Sequence, residues 1–301
     1  IIFFLSSIVF SDYLGGLKGA GYRYGANAHQ ISLGNAIACD QISGFNAFVN
    51  PALLSKTKGD EIGSSYFLMS LDRHIQVFSV TKNLSSFGGA SLSYFESGVS
   101  NIRGKDFNNE FIGMFKSKDS YLMFSFGSRA FSNFYIGLNI KALFGAIDDQ
   151  RSSGFSGDIG MVYDFSNKFS YSFMINNIFS SIIWKESNLS EYLPQINSLG
   201  VRFNFNKNFK IHSKLEHVNS NDIDIYRSKN GLEWFKDNYS IRLGLVQTKG
   251  QFSNQSFDFK ALIGFGMNIS LLESNKIRLD YCIDFGNENE GISNLVSLSI
   301  K

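Results

Sequence analysis

Phe257–Leu271, FDFKALIGFGMNISL, alternates along its whole length. Phe257, Phe259, Ala261, Ile263, Phe265, Met267, Ile269 and Leu271 fall on one side, and Asp258, Lys260, Leu262, Gly264, Gly266, Asn268 and Ser270 on the other. A period of two belongs to an extended strand, whose successive side chains point to opposite faces of a sheet. Strands commonly run about 5 to 6 residues, whereas a tilted strand crossing a bilayer needs about 9 to 11. One oily face opposite a face of polar, charged and glycine residues fits lipid outside and a wet, partly filled interior.

The same alternation predicts fourteen strands: 61–71, 74–83, 87–97, 112–131, 134–144, 157–165, 168–179, 198–206, 209–218, 227–236, 239–248, 257–271, 275–285 and 293–301. Residues 112–131 could instead be two strands around Ser117–Asp119. Loop lengths decide for one: short turns at 132–133, 166–167, 207–208, 236–238 and 273–275 alternate with longer connections at 145–156, 180–197 and 286–292. Bacterial barrels have an even strand number with short turns on one side, and splitting the segment would give an odd one. The fold expected is therefore all-β, a single antiparallel transmembrane barrel.

Outward sets such as Phe134, Ile136, Leu138, Ile140, Ala142, Phe144 or Tyr239, Ile241, Leu243, Leu245 contain no charge. A Lys or Arg at mid-bilayer on that face would cost about 2 to 4 kcal/mol. The inward sets carry Lys141, Asp158, Arg202, His212, Lys214, Glu216, Glu233, Arg242, Lys260, Arg278, Asp280 and Asp284, both signs together. In a lumen such charges pair across strands; on a soluble β-sandwich they would form the solvated face. Alternation alone leaves both open, and strand length and aromatic load favour the barrel.

Composition agrees. Two prolines stand against 28 glycines, 31 phenylalanines and 13 tyrosines, a balance suited to long unbroken strands. A net charge of +2 without a basic stripe excludes nucleic acid as a partner class. No apolar run reaches the roughly 18 residues of a membrane helix. The opening residues 1–11, IIFFLSSIVFS, read as the remnant of a secretion signal, with a buried edge strand as the alternative. Cys39 and Cys282 lack metal or redox spacing; they could pair in an oxidising compartment, and two unpaired thiols are the simpler reading. No cofactor or metal site is expected. The acidic pairs Asp148–Asp149, Asp222–Asp224 and Glu288–Glu290 read as solvated surface, and the four histidines sit in no hydrolase, metalloprotease or nucleotide-binding motif, so an enzyme is not expected.

Residues 12–55 do not alternate. Within them ISLGNAIACDQISGFNAFVNPALLS, residues 31–55, resembles the N-terminal signature of the PorV/PorQ-type outer-membrane proteins, distant relatives of the FadL fatty-acid channel. The residues that carry the likeness are Gly34, Ala36, Ala38, Asp40, Asn50, Pro51, Ala52 and Leu53. GLNIKAL, DIGMVYDF, LPQINSLGVRF, GLEWFKDNYSIRLGL and IRLDYCIDFG follow in the order of comparable strands in that family. The chain departs from such barrels in ending on Ile300 and Lys301 rather than on an aromatic residue.

The resemblance implies a Gram-negative outer-membrane location and a division into a hatch at 12–57, folded into the lumen, and a barrel at 58–301. It also implies two functions. One is a protein-binding component of type IX secretion and surface attachment, whose partners are secretion-system proteins or exported cargo beside the surrounding lipid. The other, through FadL, is a channel for a hydrophobic small molecule. The polar inward sets weigh against a greasy lumen. An apolar pocket above residues 40–54 would reverse that judgement, and a solidly packed lumen would support the secretion partner.

Overall fold

A computed structural model describes residues 17–220, 223–250, 258–270, 276–286 and 290–301. The presumed signal at 1–11, the first residues of the expected hatch, Phe257, Leu271, Asp222 and Glu288 lie outside these described residues.

Fourteen strands form the wall: β1 (Glu61–Leu68), β2 (Arg73–Asn83), β3 (Gly89–Lys105), β4 (Phe111–Phe131), β5 (Phe134–Ile147), β6 (Gln150–Asp164), β7 (Phe169–Trp184), β8 (Gln195–Asn204), β9 (Phe209–Ser220), β10 (Ile223–Lys236), β11 (Tyr239–Gly250), β12 (Asp258–Ser270), β13 (Lys276–Asp284) and β14 (Ser293–Ile300). Each pairs antiparallel with its neighbour in sequence, and a two-residue strand, Ser190–Glu191, adds to the edge of β7. β14 returns to β1 with Ile62 opposite Ile300 and Leu68 opposite Asn294, so the ring closes. Closure removes the unpaired edges that a spanning sheet could not leave in hydrocarbon.

The alternation expected from sequence governs the wall. Leu138, Ile140, Leu243 and Phe265 are exposed on the outside, while Asn139, Arg242 and Asp280 are buried inside. Rings crowd the outer rim at the end where β1 begins: Phe131 with Phe134, Tyr163 and Tyr171 around Phe165, and Phe169 against Phe203 at 4.7 Å. Such a girdle marks the bilayer interface of spanning barrels.

Residues 111–131 are one strand, as loop lengths required. Two expected connections are corrected. The loop at 145–156 is mostly strand, with β5 and β6 joined by Asp148–Asp149 alone and Asp148 at φ 51°. A two-residue hairpin turn favours that left-handed backbone, which Asp tolerates. The connection at 180–197 likewise begins as strand up to Trp184. Beyond the lipid band nothing forces one face to be apolar, so the ladder continues after the alternation has faded. β3 and β4 rise furthest, past their last pairings with β2 and β5 at Val99 and Ser117, as a two-stranded arm with a bulge between Val99 and Ile102.

Candidate functional site

The N-terminal segment lies against the inward side of the wall. It contains two short helices, α1 (Ala28–Ser32) and α2 (Asn46–Val49), and a 3-10 turn, Pro51–Lys56. Asn27 caps α1 by accepting from the Gln30 amide at 2.8 Å, which satisfies one of the helix's orphan donors. Asn50 does the same for the 3-10 turn through the Ala52 amide at 3.0 Å, and its Nδ2 donates to the Met161 carbonyl at 3.2 Å. Pro51 takes the first position of that turn, where its missing N–H costs nothing. Ala52 is fully buried behind it.

Glycines make the room. Gly89, Gly127, Gly137 and Gly160 stand opposite one another across β3 to β6 in one inward row. A Cβ on any of them would occupy the space of Leu54, Pro51 or Asn50. A second set, Gly231, Gly244 and Gly264, meets Leu33, Gly34 and Ser32 in the same way. Gly34 itself has φ 65°, and a side chain there would press on the Leu245 backbone.

Charge ties the same surfaces. Asp40 receives Arg202 from β8 and Lys210 Nζ from β9, the latter at 2.6 Å. Burial raises its pKa, but Lys210, His212 and Arg202 outweigh that and hold it at about 2. His29 Nε2 lies 2.9 Å from Glu233 Oε1, a close contact not aligned as a hydrogen bond. Arg242 joins Glu233 at 2.7 Å to Asp280 at 2.8 Å, and Arg278 reaches the far oxygen of Asp280 at 2.9 Å. Lys260 pairs with Asp284 at 2.7 Å, and the Tyr24 hydroxyl donates to the same carboxylate. Lys141 pairs with Asp158 at 2.7 Å. Lys141, Asp158, Arg202, Glu233, Arg242, Lys260, Arg278, Asp280 and Asp284 are thus all held in ion pairs, and Asp40 is brought against two cations.

The expectation of a polar lumen is corrected on one side. Phe67, Ile75, Val77, Phe95, Tyr121, Met123, Leu143 and Leu295 line β1 to β5 and β14 and pack with Ile31, Leu33, Phe45, Leu53 and Leu54 of the segment in one core. The strong outward sets that reveal the inward phase lie mainly on β5 to β13. On β1 to β4 apolar residues occur on both faces, as at Phe67 and Leu68, and the phase is obscured there.

Between segment and wall a cavity of about 120 Å³ remains. One side is aromatic and aliphatic. Phe95 stacks on Tyr121 at 5.0 Å, Tyr22 meets both rings edge-on, and Met123, Met174, Phe48 and Val49 continue the surface. The Tyr22 hydroxyl donates to the Ser120 carbonyl at 3.0 Å, which fixes its ring. The other side carries Lys214, Glu216, Arg227 and Lys229. The connection after β7 closes over this space, with Leu193 buried and Asn177 Nδ2 donating to the Pro194 carbonyl at 2.8 Å. Sequence reasoning did not single out Arg227, Lys229 or the aromatic trio. The two-residue spacing Arg227, Lys229, Gly231, Glu233 is the signal that identifies the first two as inward.

Comparison by structure finds solved transporters of similar fold. The toluene transporter TodX of Pseudomonas putida superposes with a TM-score of 0.68 at 11% identity, covering 92% of this chain and 96% of that one. The toluene transporter TbuX of Ralstonia pickettii gives 0.65 at 11% identity over 92% and 97%. A Pseudomonas aeruginosa FadL homologue gives 0.63 at 11% identity over 92% and 98%. The fold is thus that of the FadL-like transmembrane β-barrels. No family model matches the sequence, and no curated protein matches it.

Proposed function

We propose that this chain is an outer-membrane barrel of a Gram-negative bacterium that passes a hydrophobic small molecule, with residues 12–57 as hatch and 58–301 as the channel wall. The observation that carries this reading is the cavity at the junction of the two, walled on one side by Tyr22, Phe95, Tyr121 and Met123. The aromatic wall gives an apolar ligand its surface, while the rest of the lining is polar and charged. The cavity's volume is on the order of the engineered apolar cavity of about 150 Å³ that holds benzene. TodX and TbuX, of similar fold, are described as toluene transporters, which supports a ligand of one aromatic ring. Gly34, Asp40, Asn50, Pro51 and Ala52 act here as the hatch's attachment points, so passage requires a shift of the segment about them.

The secretion-associated role rests on the sequence resemblance alone, and no contact or surface among the described residues favours it. The test is uptake of radiolabelled toluene by vesicles holding the folded barrel, beside mass spectrometry of whatever copurifies from native membranes. Saturable uptake that falls in Tyr121→Ala supports the channel. Vesicles no more permeable than empty ones, with secretion proteins copurifying in stoichiometric amount, would replace it with the secretion role.

A further inference from the structure

Inside the ring three cations close on one carboxylate. Glu216 on β9 receives Lys214 Nζ at 3.1 Å, and from β10 it receives Arg227 Nη2 and Lys229 Nζ at 2.7 Å each. The register makes the cluster, with Glu216 opposite Arg227 and Lys214 opposite Lys229, all at inward positions. Their side chains are only 5 to 11% exposed.

The charges in this cluster do not balance. Three other acidic groups of the lumen are committed elsewhere, Asp158 to Lys141, Asp40 to Arg202 and Lys210, and Glu233 to Arg242. A buried charge is costly unless it is paired. A lysine can relieve that cost by losing its proton, but a guanidinium keeps its own at any ordinary pH. Arg227 moreover has a buried Nε with no hydrogen-bond partner among the described residues, and all four residues line the cavity.

We propose that Lys214, Arg227 and Lys229 form a site for a compact oxyanion, a phosphate or carboxylate group that enters from the cavity. The Nε edge of Arg227 presents one donor of a planar fork suited to such groups, and the two lysine amines add donors without fixed direction. Glu216 occupies the centre of the three cations and competes with an entering anion for them. Ser198, opposite Glu216 on β8 and also on the cavity wall, places a hydroxyl at the same height, where it donates to the Met174 carbonyl at 3.4 Å. The site rests on the cavity's geometry and goes beyond hydrocarbon passage, since toluene would use none of these groups.

Two functions for the cluster predict opposite results when Glu216 is neutralised. If the four residues only stiffen the wall, Glu216→Gln loosens the cluster and any anion binding falls. If they form the site, Glu216→Gln releases three cations and binding strengthens several-fold. The experiment is calorimetric titration of the folded barrel in non-ionic detergent at low ionic strength, first with inorganic phosphate and then with octanoate. Folding of each variant is checked by heat-dependent mobility in SDS gels.

Saturable phosphate binding, weakened tenfold or more in Arg227→Gln and several-fold in Lys214→Gln, establishes a free oxyanion as the ligand. Binding of octanoate alone, with the same response to the variants, assigns the site to the head of an anionic amphiphile. Absence of saturable binding of either, binding unchanged in Arg227→Gln and Lys214→Gln, or weaker binding in Glu216→Gln overturns the proposal. Toluene uptake is a separate readout: a barrel that binds phosphate but passes no toluene keeps this site and loses the channel.

Discussion

His29 Nε2, on the first helix of the N-terminal segment, lies 2.9 Å from Glu233 Oε1 on the barrel wall. Burial and the Arg242 guanidinium oppose protonation of the ring more than Glu233 favours it, so its pKa falls from 6.5 to about 4. A released segment therefore binds more protons than a seated one between those two values, and seating weakens as pH falls through that window and levels off below it. The effect is on the order of 3 kcal/mol at about 1.4 kcal/mol per unit. Hydrogen exchange should show amides of residues 26–34 losing protection from pH 6.5 to 4 while the strands keep theirs, and His29→Gln should abolish the slope.

Gly137 faces Pro51 so closely that a Cβ would overlap its carbonyl carbon. Gly137→Val should unseat the Pro51–Lys56 turn or force it outward, at about 1 to 3 kcal/mol. Limited proteolysis reads this directly, because cleavage within residues 41–57 should rise while the strands stay resistant. Unchanged cleavage would mean that the turn is held without the glycine row.

Asp40→Asn leaves Arg202 and Lys210 facing each other without their shared carboxylate. Removing one partner of a buried pair costs about 3 kcal/mol or more, and Lys210, the more exposed of the two cations, sets the loss at the low end. In the unmodified protein the depressed pKa of Asp40 keeps this contribution intact above about pH 4, and it is lost as pH falls from 3.8 toward 2. Urea unfolding at pH 7 and at pH 3 should therefore separate the variant from the parent widely at the first and narrowly at the second.

Ile140 points outward near the middle of β5, and its pairing partner Phe124 on β4 is exposed as well. Ile140→Arg should destabilise the barrel in phospholipid vesicles by about 2 to 4 kcal/mol. Arg at Phe205, beside the short turn at the aromatic rim, should cost about 1 kcal/mol or less. Equal costs at both positions would contradict a spanning orientation.

The fourteen strands were legible because lipid on one side imposes an apolar residue at every second position, and Phe257–Leu271 states that rule without exception. Where the lipid ends the rule ends, and for that reason the continuation of β5 to Ile147 and of β7 to Trp184 could not be read from the same signal. The inward charges were legible by the phase of the alternation, but their partners were not. That Arg242 bridges Glu233 and Asp280, or that Asp40 meets Arg202, depends on the stagger of strands and on how the non-alternating segment lies across them. The glycines of the seat were visible only as small residues, since nothing in the sequence aligns Gly89, Gly127, Gly137 and Gly160 into one row. Asn50 and Pro51 could be recognised as a turn, and the wall that receives them could not.

The segment that precedes β1 rests on strands from both ends of the chain. Its Pro51–Lys56 turn sits on the glycine row of β3 to β6, while the Ala28 amide donates to Ser297 on β14, 269 residues away. Contacts so distant in sequence form slowly. Part of the seat is supplied by the last strand, so full docking requires that this strand already lie beside the first. A chain halted before residue 293 would hold a segment with nowhere to rest, and its exposed Ile31, Leu33 and Phe45 would mark it as unfinished to any factor that binds apolar chain.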